Sequence, residues 1–291
     1  MNGLVSAISD AVSHSGSALF GSLVVALACA LLGVHVVARR LIVVGVALPQ
    51  MAALGIALSF LLAGAHADEV NPLRHDGMAL LCELVGAAIL AWGARGRSLG
   101  HDTLAGALFV AGSALTILLM TKSAQGLDDI KHLVEGDVLF VSRADLVRLA
   151  LALGPVVVLH ALGGRRLLFC TFDRETAATL GVRTGWWEFA FYATLAVTVA
   201  AGVHATGTLF VFAYLVLPGA AGLVLGRSAG GVFTTAVVVA LVASFTGFVM
   251  SYAWDWPTGY TCAAVVLALF VVCAAVAWVR DRYGEQQGSR P

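Results

Sequence analysis

The chain has 291 residues, of which 60% are hydrophobic and only 12% charged, with a mean hydropathy of +0.93. Soluble domains carry about 25% charged residues, so the composition excludes an ordinary soluble fold and indicates a single all-α, polytopic membrane domain over residues 1–291. The 17 basic and 17 acidic residues cancel, which leaves no basic surface for nucleic acid.

Bilayer crossing needs about 17 to 25 predominantly apolar residues. Runs of that kind predict nine spans: Ala18 to Ala38, Leu41 to Leu62, Gly77 to Gly93, Thr103 to Met120, Leu146 to Leu162, Phe189 to His204, Thr208 to Leu225, Val232 to Met250 and Pro257 to Val279. The first basic residue is Arg39, so the positive region that opens a secretory signal peptide is not seen. Between Phe189 and Gly226 no Asp, Glu, Lys or Arg marks a break; Gly202 and Gly207, flanking His204, supply the turn. Cys29, Cys82, Cys170, Cys262 and Cys273 have no CxxC spacing, so neither disulfides nor a structural zinc site is expected.

Arginine and lysine collect on inner loops. With the amino terminus outside, 12 of the 17 basic residues fall inside, from Arg39 and Arg40 through to Arg280, Arg282 and Arg290. Nine spans then leave residues 281–291 as a cytoplasmic tail. The long polar connection from Thr121 to Asp145 reads as a surface or re-entrant segment on the outer face.

No catalytic motif stands out. "GLVLGRS" (Gly222 to Ser228) imitates a phosphate loop, but it has three intervening residues instead of four and arginine for lysine. If ATP drives this protein, another chain binds it. Polar groups within the spans are therefore the candidates, because they are costly in lipid. They are His35, Gln50, Glu83, His160 and His204, with the prolines Pro49 and Pro218. Counting ~1.5 Å per residue from Arg40 places Gln50 near the midplane, and the same count from Arg227 places Pro218 at similar depth. Glu83 falls about a third of the way in from the outer face. His35 and His160 lie near the inner ends and read individually as packing residues. Two midplane prolines suggest discontinuous helices lining a substrate path. In the loop "AGAHADEVNPLRHD", His66, Asp68 and His75 are weak metal-ligand candidates.

Several segments, in order and correctly spaced, resemble the integral-membrane permease of the metal-type ABC-3 family of bacterial importers. They are "LLGVHVVARRLIVVGVALPQMAALGIALSFLL" (Leu31 to Leu62), "HDTLAGALFVAGSAL" (His101 to Leu115), "FDRETAATLGVRTGWWEF" (Phe172 to Phe189) and "ATGTLFVFAYLVLPGAAGLVLGRS" (Ala205 to Ser228). The resemblance implies a non-enzymatic, multi-pass permease of the bacterial inner membrane, paired with a second copy. It also implies separate ATPase subunits that bind the ATP, and an extracytoplasmic binding protein delivering zinc, manganese or iron. Phe172 to Thr184 would supply the coupling helix, with Asp173, Glu175, Ala177, Ala178 and Gly181 as its contact and capping residues. Asp173 suits an amino-terminal cap, Glu175 the first turn and Gly181 a stop.

One departure bears on the cargo. Where the family commonly has Gly-Asp-Ala-Leu-Ser-His-Ala-Val-Leu-Pro-Gly, this chain has Gly45-Val46-Ala47-Leu48-Pro49-Gln50-Met51-Ala52-Ala53-Leu54-Gly55. The family's carboxylate and imidazole, four apart on one helical face, are Val46 and Gln50 here. Two readings follow: an importer of a bare divalent metal using Gln50, Glu83 and His204, or a permease for a metal chelate or other small solute.

Overall fold

The computed structural model describes residues 2–63, 72–93, 101–121, 143–172 and 174–288. Ten helices are present among them: α1 (Asn2–Ala38), α2 (Ile42–Ala63), α3 (Pro72–Gly93), α4 (His101–Met120), α5 (Arg143–Phe172), α6 (Arg174–Thr179), α7 (Thr184–Thr206), α8 (Thr208–Leu225), α9 (Ala229–Trp254) and α10 (Thr258–Gly288). No strand occurs among the described residues. In hydrocarbon every backbone polar group must be satisfied within the segment, so the apolar runs have one local solution. Eight of the helices are long and apolar enough to cross a bilayer, and α3 adds the shorter apolar segment Gly77–Leu90.

Exposed aromatics mark both ends of the bundle. Trp254 and Trp256 meet at 4.9 Å beside Tyr252 and Tyr260 at one end, while Trp186 and Trp278 are exposed at the other. Amphipathic rings of this kind settle at headgroup level.

α1 and α2 form the interior of the bundle. α1 packs on α8, α9 and α5, and α2 on α4, α3 and α8. The outer surface falls mainly to α4, α5 and α10. Without a hydrophobic drive between helices, close approach depends on small residues. A Cβ at Gly33 would run into the Leu215 carbonyl, and one at Gly219 would stand 2.6 Å from the Gly33 carbonyl carbon, so α1 and α8 cross backbone to backbone. Gly55 meets Met78 and Ala79 in the same manner where α2 crosses α3.

The charge-free stretch divides at one glycine. Gly207 has φ 85°, in the left-handed region, and a single residue thereby separates α7 from α8. Gly202, the other glycine expected at this turn, stays helical and packs against Val211 and Val25. Other boundaries differ from the sequence reading. α5 does not end at Leu162 but continues through Gly163, Gly164, Arg165 and Arg166. α10 runs to Gly288, so most of the expected tail is helical. Arg280 on α10 donates from Nη1 to the Leu225 carbonyl (3.1 Å) and from Nη2 to that of Val224 (3.3 Å). A cation thus satisfies orphan carbonyls at the negative end of α8.

At the start of α9, Ser228 accepts from the Gly231 amide at 3.2 Å. Ser228→Ala should lower stability by about 1 kcal/mol, seen as a reduced thermal midpoint in detergent.

Candidate functional site

α2 carries the candidate path. Its sequence is apolar nearly all round, and from Val44 to Ser59 almost every residue is buried. The partly open positions are Val46, Gln50, Leu54 and Leu58. Spacing of four places them along one side of the helix. That stripe includes Val46 and Gln50, which stand where the resemblance implies a carboxylate and an imidazole.

Pro49 is buried beside the stripe, within a helix that continues past it. Pro218 is likewise buried within a continuous α8. The expectation of discontinuous helices is therefore corrected: each proline withholds one amide, from the Gly45 and Tyr214 carbonyls respectively, without breaking its helix. The small side at Gly112 on α4 admits α2, since a Cβ there would lie 2.9 Å from the Gln50 carbonyl.

Depth also needs correction. Gly45 abuts Leu215 and Val216, shortly before Pro218, and α2 runs antiparallel to α8. Pro218 thus lies about 10 Å closer than Gln50 to the Arg40 end of the bundle. Counting residues from loop charges missed this because the helices are staggered. Glu83 stays close to the depth counted for it from the sequence. α2 and α3 meet at Gly55 with Met78 and Ala79, and at Met51 with Gly86, which brings Glu83 level with Ala52 and within about 3 Å of the height of Gln50.

Equal height does not make one site. Glu83 belongs to the buried face of α3 formed by Ala79, Cys82, Gly86, Ala87 and Leu90, which packs on α2 and α7. It has 0% exposure and neither carboxylate oxygen has a hydrogen-bond partner. The Ala200 backbone of α7 approaches it, but an amide inside a helix is already committed to its own ladder. Gln50 faces the open stripe instead. His204 is exposed in the last turn of α7, one turn beyond the Ala200 backbone that approaches Glu83.

The expected coupling segment is shorter than Phe172 to Thr184. Phe172 ends α5, and the helix itself covers only Arg174–Thr179. Asp173 and the side chain of Glu175 lie outside the described residues, as do His66, Asp68 and the side chain of His75. Ala177 is fully buried and Ala178 exposed, which seats one side of α6 on the bundle. Gly181 has φ 81°, the Val182 amide donates to the Ala177 carbonyl (3.0 Å) and the Gly181 amide to that of Ala178 (3.1 Å). These two bonds form a Schellman stop. Within it Leu180 is 70% exposed, so an apolar side chain stands on the turn.

Two histidines read separately in the sequence come together. His35 on α1 and His160 on α5 have ring centroids 5.9 Å apart. Their separation of 125 positions gave no sequence signal of this.

The profile of the ABC 3 transport family matches residues 11–277. The chain belongs to this family. Among its relatives, the manganese transport system membrane protein MntC of Halalkalibacterium halodurans is 24% identical over 261 residues, covering 89% of this chain and 86% of MntC. The chelated iron transport system membrane protein YfeD of Yersinia pestis is also 24% identical, over 95% of this chain and 90% of YfeD. In three dimensions the chain is similar to PsaBC from Streptococcus pneumoniae, solved in complex with Fab, with a TM-score of 0.80 at 20% identity over 92% of this chain and 95% of that one. As an ABC 3 family member with eight helices long enough to span and one shorter apolar helix, it is a multi-pass membrane protein with an ABC-permease fold.

Proposed function

We propose that this chain is the permease subunit of an ATP-driven importer for a first-row divalent metal ion, working as a pair with ATPase subunits inside and a metal-delivering binding protein outside. ATP is then bound and hydrolysed by the partners, and the metal is cargo. The observation that carries the permease role is the partly exposed stripe on α2, in the middle of an otherwise buried helix. The family match and the metal-transport relatives support the cargo.

The path runs along Val46, Gln50 and Leu54, with α4 beside it at Gly112, and a second copy would complete its wall. Gln50 offers a neutral amide oxygen and Val46 no ligand, so affinity at this level is low, and a carrier that must release its cargo tolerates that. The α6 segment, with Ala177 seated and Ala178 and Gly181 outward, meets the ATPase and passes its closure to α5 and α7.

Proteoliposomes containing the permease, its ATPase and its binding protein should take up labelled manganese, iron or zinc only with ATP. Uptake of chelates without free-metal transport would overturn the cargo assignment. Within this assay Gln50→Leu should reduce uptake while leaving assembly intact.

Glu83 gives a further prediction. A carboxyl buried without partners costs several kcal/mol relative to an apolar isostere. Glu83→Met should therefore raise the thermal midpoint while lowering transport several-fold; a stabilised variant with full transport would remove Glu83 from the mechanism.

A further inference from the structure

The His35 and His160 pair has the features of a ligand site that the permeation stripe does not use. His35 is fully buried and His160 is 6% exposed. On each ring one nitrogen is engaged and the other, Nε2, is buried with no hydrogen-bond partner.

The engaged nitrogens fix the tautomers. His160 Nδ1 lies 2.9 Å from the Val156 carbonyl. A carbonyl only accepts, so Nδ1 carries the hydrogen and Nε2 a lone pair. The Thr171 hydroxyl donates to the Leu167 carbonyl at 2.7 Å and accepts from Arg39 Nε at 3.0 Å. His35 Nδ1, 3.3 Å from the same oxygen, must then donate, which leaves its Nε2 with a lone pair also. Metal-binding histidines are commonly prepared in this way, with one nitrogen donating to a carbonyl or other acceptor and the other left bare.

Spacing agrees. An ion ~2.1 Å from each nitrogen lies ~3.2 Å from each ring centroid, so two histidines on one ion have centroids about 5 to 6.5 Å apart. The observed 5.9 Å falls within that range. Phe191 and Phe233 flank His35 at 6.2 and 5.4 Å between centroids, and neither competes as a ligand.

Position agrees as well. Val36, next to His35, touches Gly45, and Gly45 lies five residues, about 7.5 Å, from Gln50 toward the Arg40 end. We propose that His35 and His160 form a transient inner-side site for a first-row divalent cation, bound through both Nε2 atoms, downstream of the α2 stripe. This rests on reading the chain as a metal permease. Two neutral nitrogens without a carboxylate make a weak site. Arg39 weakens it further: its guanidinium carbon sits 4.3 Å over the Phe191 ring, and its charge reaches the pair from the Thr171 side. Low affinity suits an ion that is about to be released.

The full-length permease in lipid nanodiscs, titrated with Zn²⁺ and Co²⁺, should lose one bound ion per chain in the H35Q/H160Q double variant. Each single variant should weaken that ion's binding at least tenfold. Wild-type stoichiometry and affinity in the double variant overturn the proposal. Should those variants fail to fold, H35C/H160C retains ligating side chains of small size. Cd²⁺ should then give a thiolate charge-transfer difference band saturating at one ion per chain, and its absence in monodisperse protein overturns the site. Neither readout needs ATPase or transport. Zinc held by the pair in a protein that imports no metal supports the site and sinks the cargo reading; import without histidine-dependent binding sinks the site alone.

Discussion

Gly219→Val is expected to abolish recovery of folded protein. The Cβ of any residue larger than glycine would stand 2.6 Å from the Gly33 carbonyl carbon and 2.7 Å from its oxygen. Overpacking against side chains costs about 1 to 3 kcal/mol because rotamers give way; here the obstacle is backbone on a helix at the centre of the bundle. Gly33→Val meets the Leu215 carbonyl and should behave alike. Gly154 and Gly106 are the contrast, with nothing within 4 Å of an added Cβ. Their alanine variants should fold as well as the parent, gaining up to about 1 kcal/mol of helix propensity. Monodispersity by size exclusion and the thermal midpoint check both halves. Equal recovery of Gly219→Val and Gly154→Ala would mean that the α1–α8 crossing is not as described.

The second large effect is a gain. Val46→Asp with Gln50→His places a carboxylate and an imidazole four residues apart on the α2 stripe, both proper ligands for a first-row ion. The double variant should bind Zn²⁺ or Mn²⁺ at least tenfold more tightly than the parent, about 1.4 kcal/mol. Val46→Asp alone should gain less, since a lone carboxylate in apolar surroundings is costly. Calorimetric titration of the purified permease reads the affinity and vesicle uptake the selectivity. Unchanged binding in a folded double variant would remove this stripe from the path.

The spans were legible because lipid leaves the backbone few choices. Apolar runs, with a glycine turn to divide the longest, located Leu41 to Leu62 and Thr208 to Leu225 within one residue of α2 and α8 at every end. The turn at Gly207 was legible too, since no charge marks it and a glycine is what a left-handed residue requires. Tertiary register was not. Pro218 and Gln50 were placed at one depth by counting inward from separate loops, and only the contacts of Gly45 show their offset. The open side of α2 could not be read either. An amphipathic pattern reveals a face when water is on the other side; here both sides are apolar in sequence, and Val46, Leu54 and Leu58 look no different from the buried Val44 and Leu48. The pairing of His35 with His160 needed the packing of α1 on α5.

The stripe on α2 has one more implication. Its members keep part of their surface exposed, whereas the residues between them are buried against the neighbouring helices. Exchanging Val46, Gln50 or Leu54 therefore alters the lining and disturbs the scaffold less than exchanging the fully buried residues between them would. A lineage built on this helix can change its cargo by single substitutions that selection for stability resists less than changes at those buried positions.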